Sequence, residues 1–225
     1  DVVALPGSGK STLINLVPRF YEATDGEILI NNLSVKEYNK DDLIGKIGLV
    51  PQRGILFSGT VKSNIKFGAP HANDNQVKKA AEIAQAKNFI EKLPNKYDSH
   101  IAQGGTNVSG GQKQRISIAR AICKNPDIYI FDDSFSALDM KTDAKLRQAL
   151  KEVTTKSVVL IVAQRVSTIK DADQIVVLNN GKIAGKGKHL ELLNNCSVYR
   201  EIVKSQLSDT EYEGEIKLAK EVRNA

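Results

Sequence analysis

Hydrophobic positions along the chain keep two rhythms. "DVVAL" at the start, "KIGLVPQ" (46–52) and the stretches 127–131 and 157–163 are short apolar runs bounded by turn residues, as buried strands are. "GEILINNLSV" (26–35) alternates in the strand manner around Asn31-Asn32, which predicts a tight hairpin. "TLINLV" repeats its apolar residues at helical spacing until Pro18 stops it. From about Thr60 to Leu93 the period is helical, with Asp74 expected to cap a helix whose Val77, Ala80, Ala81 and Ala84 form one face. A loop over 98–112 leads into another helix through Cys123. A helix at about 141–152 separates the two later strands, and short strands follow at 174–178 and 182–184. The tail from Gln206 is highly charged and is expected to be a frayed helix. Strands alternating with helices predict an α/β fold. Its core is a mainly parallel sheet with an antiparallel β edge, and the helical stretch in the middle, about 53–125, reads as an inserted subdomain.

Composition narrows this picture without redirecting it. A chain of 225 residues makes one sizeable domain, or a domain with a subdomain. The net charge of +6 comes without a dense Lys/Arg tract, so no nucleic-acid footprint is present. Cys123 and Cys196 lie far apart without metal spacing and read as two reduced thiols. The longest apolar run, Val158 to Ala163, is far short of the ~20 residues that span a bilayer. Because the chain begins at Asp1, inside a predicted strand, it reads as a piece of something longer.

Chemistry enters at "GSGKST" (7–12), which follows a strand and precedes a helix, the setting a phosphate-binding loop requires. Gly7, Ser8 and Gly9 would turn backbone N–H groups toward phosphate, Lys10 would reach the β- and γ-phosphates, and Ser11 would offer a hydroxyl to magnesium. Thr12 completes the motif; the glycine expected five positions before the lysine is Ala4. Asp132, at the end of "DIYIF", is the expected magnesium-side carboxylate. A second helix start able to hold an anion lies at "VSGGQKQR" (108–115), where Ser109, Gly110 and Gly111 stand just before an amphipathic helix. Two such ends about a hundred residues apart make sense if each nucleotide is clamped between two chains.

Taken in order, these pieces resemble the nucleotide-binding domain of an ATP-binding cassette (ABC) transporter over roughly residues 1–207, with 208–225 as a charged C-terminal tail. The matching parts are the P-loop, Gln52 in "VPQ" as the Q-loop and Ser109, Gly110, Gly111 and Gln112 as the signature. Asp132 matches the Walker B aspartate, and Ser136, Ala137, Leu138 and Asp139 the D-loop. The resemblance implies a P-loop NTPase fold of ABC ATPase type that lacks its N-terminal strands here, ATP with Mg2+ as ligands, and metal contacts from Ser11, Gln52 and Asp132. "PRFYEATDGEILINN", "ILFSGTVKSNI" and "LLNNCSVYREIVKSQ" resemble exporters fused behind membrane-spanning domains, which implies a place at the cytoplasmic face of the cell membrane. The adenine-stacking aromatic of the family lies upstream of Asp1, and Gln103 stands where the exporter X-loop usually carries an acid.

Two positions depart from the family where chemistry is done. The family's water-polarising Glu is Asp133 here, shorter by one methylene, roughly 1.5 Å. Its switch histidine falls at Gln164, which donates a hydrogen bond but carries no proton near neutral pH. The combination resembles the degenerate half of heterodimeric ABC exporters, whose partner is a second nucleotide-binding domain with Glu and His in place. An active homodimer tolerating Asp and Gln, an importer ATPase subunit and a non-hydrolysing nucleotide sensor are the alternatives. A chromosome-structure ATPase would need sustained heptads between Lys10 and Ser109, and none occur.

Overall fold

A computed structural model of the chain describes residues 2–4 and 9–223. In order, the elements are β1 (Val2–Ala4), α1 (Lys10–Asn15), β2 (Leu29–Ile30), β3 (Leu33–Ser34), α2 (Lys40–Lys46), β4 (Ile47–Val50), β5 (Gly59–Thr60) and α3 (Val61–Lys66). They continue with α4 (Asp74–Ile83), α5 (Lys87–Ile90), β6 (His100–Ile101), α6 (Gly110–Lys124), β7 (Ile128–Asp132), α7 (Met140–Val153) and β8 (Val158–Ala163). The chain closes with α8 (Val166–Ile169), β9 (Ile175–Asn179), β10 (Lys182–Gly187), α9 (His189–Asn195), α10 (Ser197–Lys204) and α11 (Asp209–Arg223). It divides into two compact units, residues 1–28 with 160–225, and residues 29–159.

In the first unit β1 lies between β8 and β9 and runs parallel to both, while β10 folds back antiparallel on β9. The expected parallel core with an antiparallel edge is present. Asn179 is followed by Asn180 and Gly181, both at positive φ, so the β9–β10 reversal uses the residues that tolerate a left-handed turn. Ile175 and Val177 of β9 pack with Leu192, Tyr199 and Val203 in one buried cluster.

The charged tail is not frayed. Tyr212, Ile216 and Ala219 recur at helical spacing, so α11 has an apolar stripe that docks on the same cluster, with Ala219 fully buried. Two polar contacts fix it. Asn194 Nδ2 donates to Ala219 O at 2.7 Å, and His189 Nε2 meets Glu215 Oε2 at 3.2 Å. Since the carboxylate accepts, Nε2 carries the proton and Nδ1 accepts from the Tyr199 hydroxyl at 2.8 Å. Burial pushes the Tyr199 phenol far up, and Glu215 adds to it, so it stays a donor. Composition hid this helix because its charged residues outnumber the few that dock.

In the second unit β4 and β7 are parallel neighbours with Ile47 opposite Ile128 and Val50 opposite Phe131. Asn31 and Asn32, at φ 52° and 62°, make the predicted left-handed hairpin turn between β2 and β3. The helical stretch forms as α3, α4 and α5, with Val77, Ala80, Ala81 and Ala84 buried as expected. The cap differs: Asn73, not Asp74, closes the α4 N-terminus in a reciprocal box with Gln76. Asp74 stands in the first turn, where its charge suits the dipole, and pairs with Lys62 at 3.2 Å. Both cysteines are free and buried. No helix among the described residues is long and apolar enough to cross a membrane.

If the stripe docks α11, Ala219→Asp puts a carboxylate into a site with no exposed surface. Hydrogen exchange should then show local opening of 209–223 eased by about 2 kcal/mol, with β9 still protected. Unchanged protection of 209–223 would mean that the helix is held by something other than its apolar face.

Candidate functional site

The candidate site residues fall on both units. In the first, Gly9 caps α1 at φ 92°, a left-handed conformation that glycine adopts without strain. Lys10 opens α1 and is buried, and Ser11 and Thr12 are exposed on the next positions. Gly7 and Ser8 lie outside the described residues. Gln164 immediately follows β8 and is exposed. Its backbone is gripped from the chain's far end: Gln206 Nε2 donates to Gln164 O at 2.7 Å and Gln206 Oε1 accepts from Val166 N at 2.8 Å.

In the second unit the strand register places the chemistry. Val50 and Phe131 are the last paired residues of β4 and β7. Two residues further along each chain stand Gln52 and Asp133, and Gln52 Nε2 donates to Asp133 Oδ2 at 3.2 Å. Ser134, fully buried, ties the same strand ends by donating from Oγ to Val50 O at 2.8 Å. Asp132 ends β7 half-buried, whereas Asp133 is buried and sits at φ 46°. Asp and Asn enter that left-handed region more readily than other residues with a Cβ, because their short polar side chains bond locally. The turn continues into the D-loop, where Asp133 O accepts from Ser136 Oγ at 2.8 Å.

Along the D-loop, Ser136 and Ala137 are exposed and Leu138 is buried. Asp139 caps α7, accepting from Thr142 N at 2.9 Å, and the Thr142 contacts hold its carboxyl below the usual range. The signature differs from the expected arrangement in one respect. Only Ser109 precedes α6; Gly110 and Gly111 already form its first turn. Ser109 caps the helix by accepting from Gln112 N at 3.2 Å, and Gln112 Oε1 accepts from Ser109 N at 2.9 Å. Ser109 and Gly110 are exposed, and the Gly110 and Gly111 amides belong to the helix's first turn, whose N–H groups lack an intrahelical acceptor. A Cβ on Gly111 would stand 3.4 Å from Ala137 O, so signature and D-loop are neighbours within one chain. Gln103 is exposed in a short turn ahead of the signature.

Two further residues are visible only with the fold in hand. Gln114 is 1% exposed; its Nε2 donates to Pro51 O at 3.0 Å and its Oε1 accepts from Gly54 N at 2.8 Å. Its sequence signal is a polar residue on the buried face of α6, four before Ile118. Arg120 donates to Asn64 O, Asn64 Oδ1 and Ile55 O while its guanidinium lies 5.2 Å from the Phe57 ring centre. Burial lowers its pKa to about 10. In front of it Ile55, Phe57 and Phe67 are exposed, the two rings stacked at 4.3 Å.

Residues 3–136 match the ABC transporter family. The chain belongs to that family. An "Uncharacterized ABC transporter ATP-binding protein" of Mycobacterium tuberculosis is 44% identical over 208 residues, 91% of this chain and 35% of that protein. A Staphylococcus aureus protein named "Putative multidrug export ATP-binding/permease protein" is 47% identical over 204 residues, again 91% of this chain and 35% of the other. Among solved structures, a bacterial Atm1-family ABC exporter with ATP bound superposes with a TM-score of 0.89 at 37% identity, over 92% of this chain and 36% of that one. This chain spans about a third of the length of these relatives. The P-loop NTPase fold of ABC ATPase type, with its parallel core, antiparallel strands and helical subdomain, is therefore established.

Gly54 sits so close to α6 that a Cβ there would lie 2.9 Å from Lys113 O. Backbone cannot swing aside as a side-chain end does, so Gly54→Ala should lower the urea unfolding free energy by about 1–3 kcal/mol. A wild-type midpoint and slope would mean that the loop stands off the helix.

Proposed function

We propose that the chain is the ATP-binding and ATP-hydrolysing domain of an ABC exporter, spanning residues 1–207 with α11 appended. In this reading its own ATP site is slow, and its signature completes the fast site of a partner domain. The observation that carries the reading is the contrast within the second unit. The signature end of α6 is exposed and begins with a reciprocal Ser109–Gln112 cap, while the short carboxylate at the hydrolytic position is buried and engaged by Gln52. A carboxylate held by Gln52 and one methylene short is poorly placed to polarise a water at the γ-phosphate, and ~1 Å of misplacement costs ~10²-fold in rate. Gln164, at the family's switch position, would supply a hydrogen-bond donor but no proton carrier.

Ser11, Gln52 and Asp132 offer a hydroxyl, an amide carbonyl and a carboxylate. This is a hard oxygen set that suits Mg2+ with most of its shell left to water and phosphate. With Nε2 committed to Asp133, Gln52 has its Oε1 for the cation. Ser11, Gln52 and Asp132 would hold the cation, whose chemistry when bound would be to neutralise phosphate charge during transfer. Lys10 would hold the same phosphates, with Gly7, Ser8, Gly9 and Thr12 shaping the turn. On the partner's nucleotide, Ser109 and the Gly110 and Gly111 amides would stabilise developing charge, a preorganised donor being worth about 3–4 kcal/mol.

Membrane domains fused upstream would place the chain at the cytoplasmic membrane face, and the relative named an ATP-binding/permease protein supports such a fusion. The exposed Ile55, Phe57 and Phe67 beside the Gln52 loop form an apolar patch suited to such a contact. The partner would be a second nucleotide-binding domain carrying Glu and His at the two divergent positions.

Steady-state ATPase of the full-length pair tests the assignment. Ser109→Arg or Gly110→Asp should remove most turnover, on the order of 10²-fold or more, whereas Asp133→Ala should lower it little. Equal losses would mean that both sites work, as in an active homodimer; no turnover in any combination would favour a nucleotide sensor. Asp133→Glu with Gln164→His should raise hydrolysis at the slow site by more than the two single changes together. Wild-type turnover in that double variant would overturn the account of why the site is slow.

A further inference from the structure

The loop after β8 takes its support from the far end of the chain. β1 and β8 run parallel with Val3 opposite Ala163, so Gln164 leaves the sheet level with Ala4, six residues before Lys10. Arg165, at the start of α8, makes no side-chain cap. Gln206 supplies the acceptor instead: its Oε1 accepts from Val166 N at 2.8 Å while its Nε2 donates to Gln164 O at 2.7 Å. One amide thus bonds the backbone on both sides of Arg165 and fixes the direction in which Gln164 leaves the strand. All of these residues belong to the first compact unit.

Gln206 is itself held between two helices. Its N–H donates to Val203 O at 3.1 Å, and Leu207 N donates to the same carbonyl at 3.2 Å, so the last turn of α10 carries on through it. On the other side, Leu207 packs against the buried cluster of the first unit. Ser208 then starts α11, its N–H donating to Glu211 Oε2 at 2.9 Å. Ala219 docks that helix on the same cluster. An exposed side chain such as Gln206 keeps a two-bond geometry only when its backbone is fixed, and the docking of α11 fixes it from the C-terminal side.

We propose that Gln206 is a positioning residue for recognition of the γ-phosphate by Gln164, and that the docking of α11 keeps it in place. This rests on the reading that Gln164 faces the γ-phosphate of nucleotide held at Lys10. With both flanks of Arg165 bonded, Gln164 is oriented before nucleotide arrives, and binding does not have to order the loop. When α11 lifts, Gln206 loses its fixed backbone and the loop regains its freedom. ATP then loses part of its advantage over ADP. The C-terminal helix is a control point: whatever displaces it lowers the preference for ATP without touching the P-loop.

The test compares binding of a non-hydrolysable ATP analogue and of ADP, each with Mg2+, to the full-length protein purified without a partner chain. Gln206→Met, of similar volume, loses both bonds. The analogue should then bind about tenfold more weakly, the loss expected for one hydrogen bond to a charged group. ADP, which lacks the γ-phosphate, should stay within about twofold of wild type. Ala219→Asp, which leaves Gln206 unchanged, should lower the same preference by about threefold or more as α11 opens. Should Gln206→Met not fold, Gln206→Glu serves instead: it keeps the acceptor for Val166 N, loses the donor to Gln164 O, and should weaken analogue binding alone. Equal losses for analogue and ADP, or a wild-type preference in the folded variant, would overturn the positioning role. A wild-type preference in Ala219→Asp would overturn the part given to α11. Gln164→Ala distinguishes these failures from failure of the underlying reading. It should lower the preference as well, and a wild-type preference there would mean that Gln164 does not meet the γ-phosphate, which overturns the reading and the proposal together.

Discussion

The pairing of β4 with β7 is the constraint on which the second unit's chemistry depends. Parallel register with Val50 opposite Phe131 delivers Gln52 and Asp133 to the same level beyond the sheet, where they bond. Side chains alternate along a strand, so a slip of one residue would turn Asp133 away and bring Asp132 into its place. Ser134 and Val50 lock the register where the ladder ends, and Ile128–Phe131 are buried on both faces of the strand. A site made of strand-end residues thus inherits its geometry from core packing rather than from loop conformation.

Beyond the strand ends, the connections are held by glutamine side chains. Gln114 clamps the loop after β4 and Gln206 clamps the loop after β8, each accepting from one backbone amide and donating to one carbonyl. A primary amide is neutral and carries its donor and its acceptor on separate atoms, so one side chain satisfies both a free N–H and a free C=O. Loops that must follow a ligand cannot be fixed by a sheet ladder without losing mobility, yet their backbone groups still need partners. Each amide bonds just one N–H and one C=O, leaving the loop between them to move.

Much of this was legible in the sequence because it depends on local pattern. The strands are continuous apolar runs, Asn31-Asn32 demands a left-handed reversal, and the spacing of Lys10, Gln52, Ser109 and Asp132 carries the family resemblance. What was not legible depends on contacts distant in sequence. Gln114 looks like one more polar residue after a signature until Pro51 and Gly54, some sixty positions earlier, close on it. The docking of α11 was masked by charge density, since three well-placed apolar residues outweigh many solvated ones. The α4 cap went to Asn73 rather than Asp74 because a box with Gln76 satisfies two backbone groups at once. The signature glycines fall inside α6 for a related reason: Ser109 and Gln112 bond each other's backbone, and that pairing starts the helix before the glycines.

Two consecutive carboxylates at the end of β7 are a costly arrangement unless they are given different surroundings. Like charges on adjacent residues repel, and burying one without a partner costs several kcal/mol. The chain separates them by conformation. Asp132 keeps the extended strand backbone and stays half-exposed, where a cation could meet it. Asp133 turns into the left-handed region, which sends its side chain inward to accept from Gln52. A short side chain suits this second role. Asp adopts the left-handed turn with less strain than a longer residue, and its carboxylate then lies against the Gln52 amide. The short side chain thereby gives the Gln52 amide a partner at the strand end, so the posture of the loop after β4 follows from the turn that Asp133 takes.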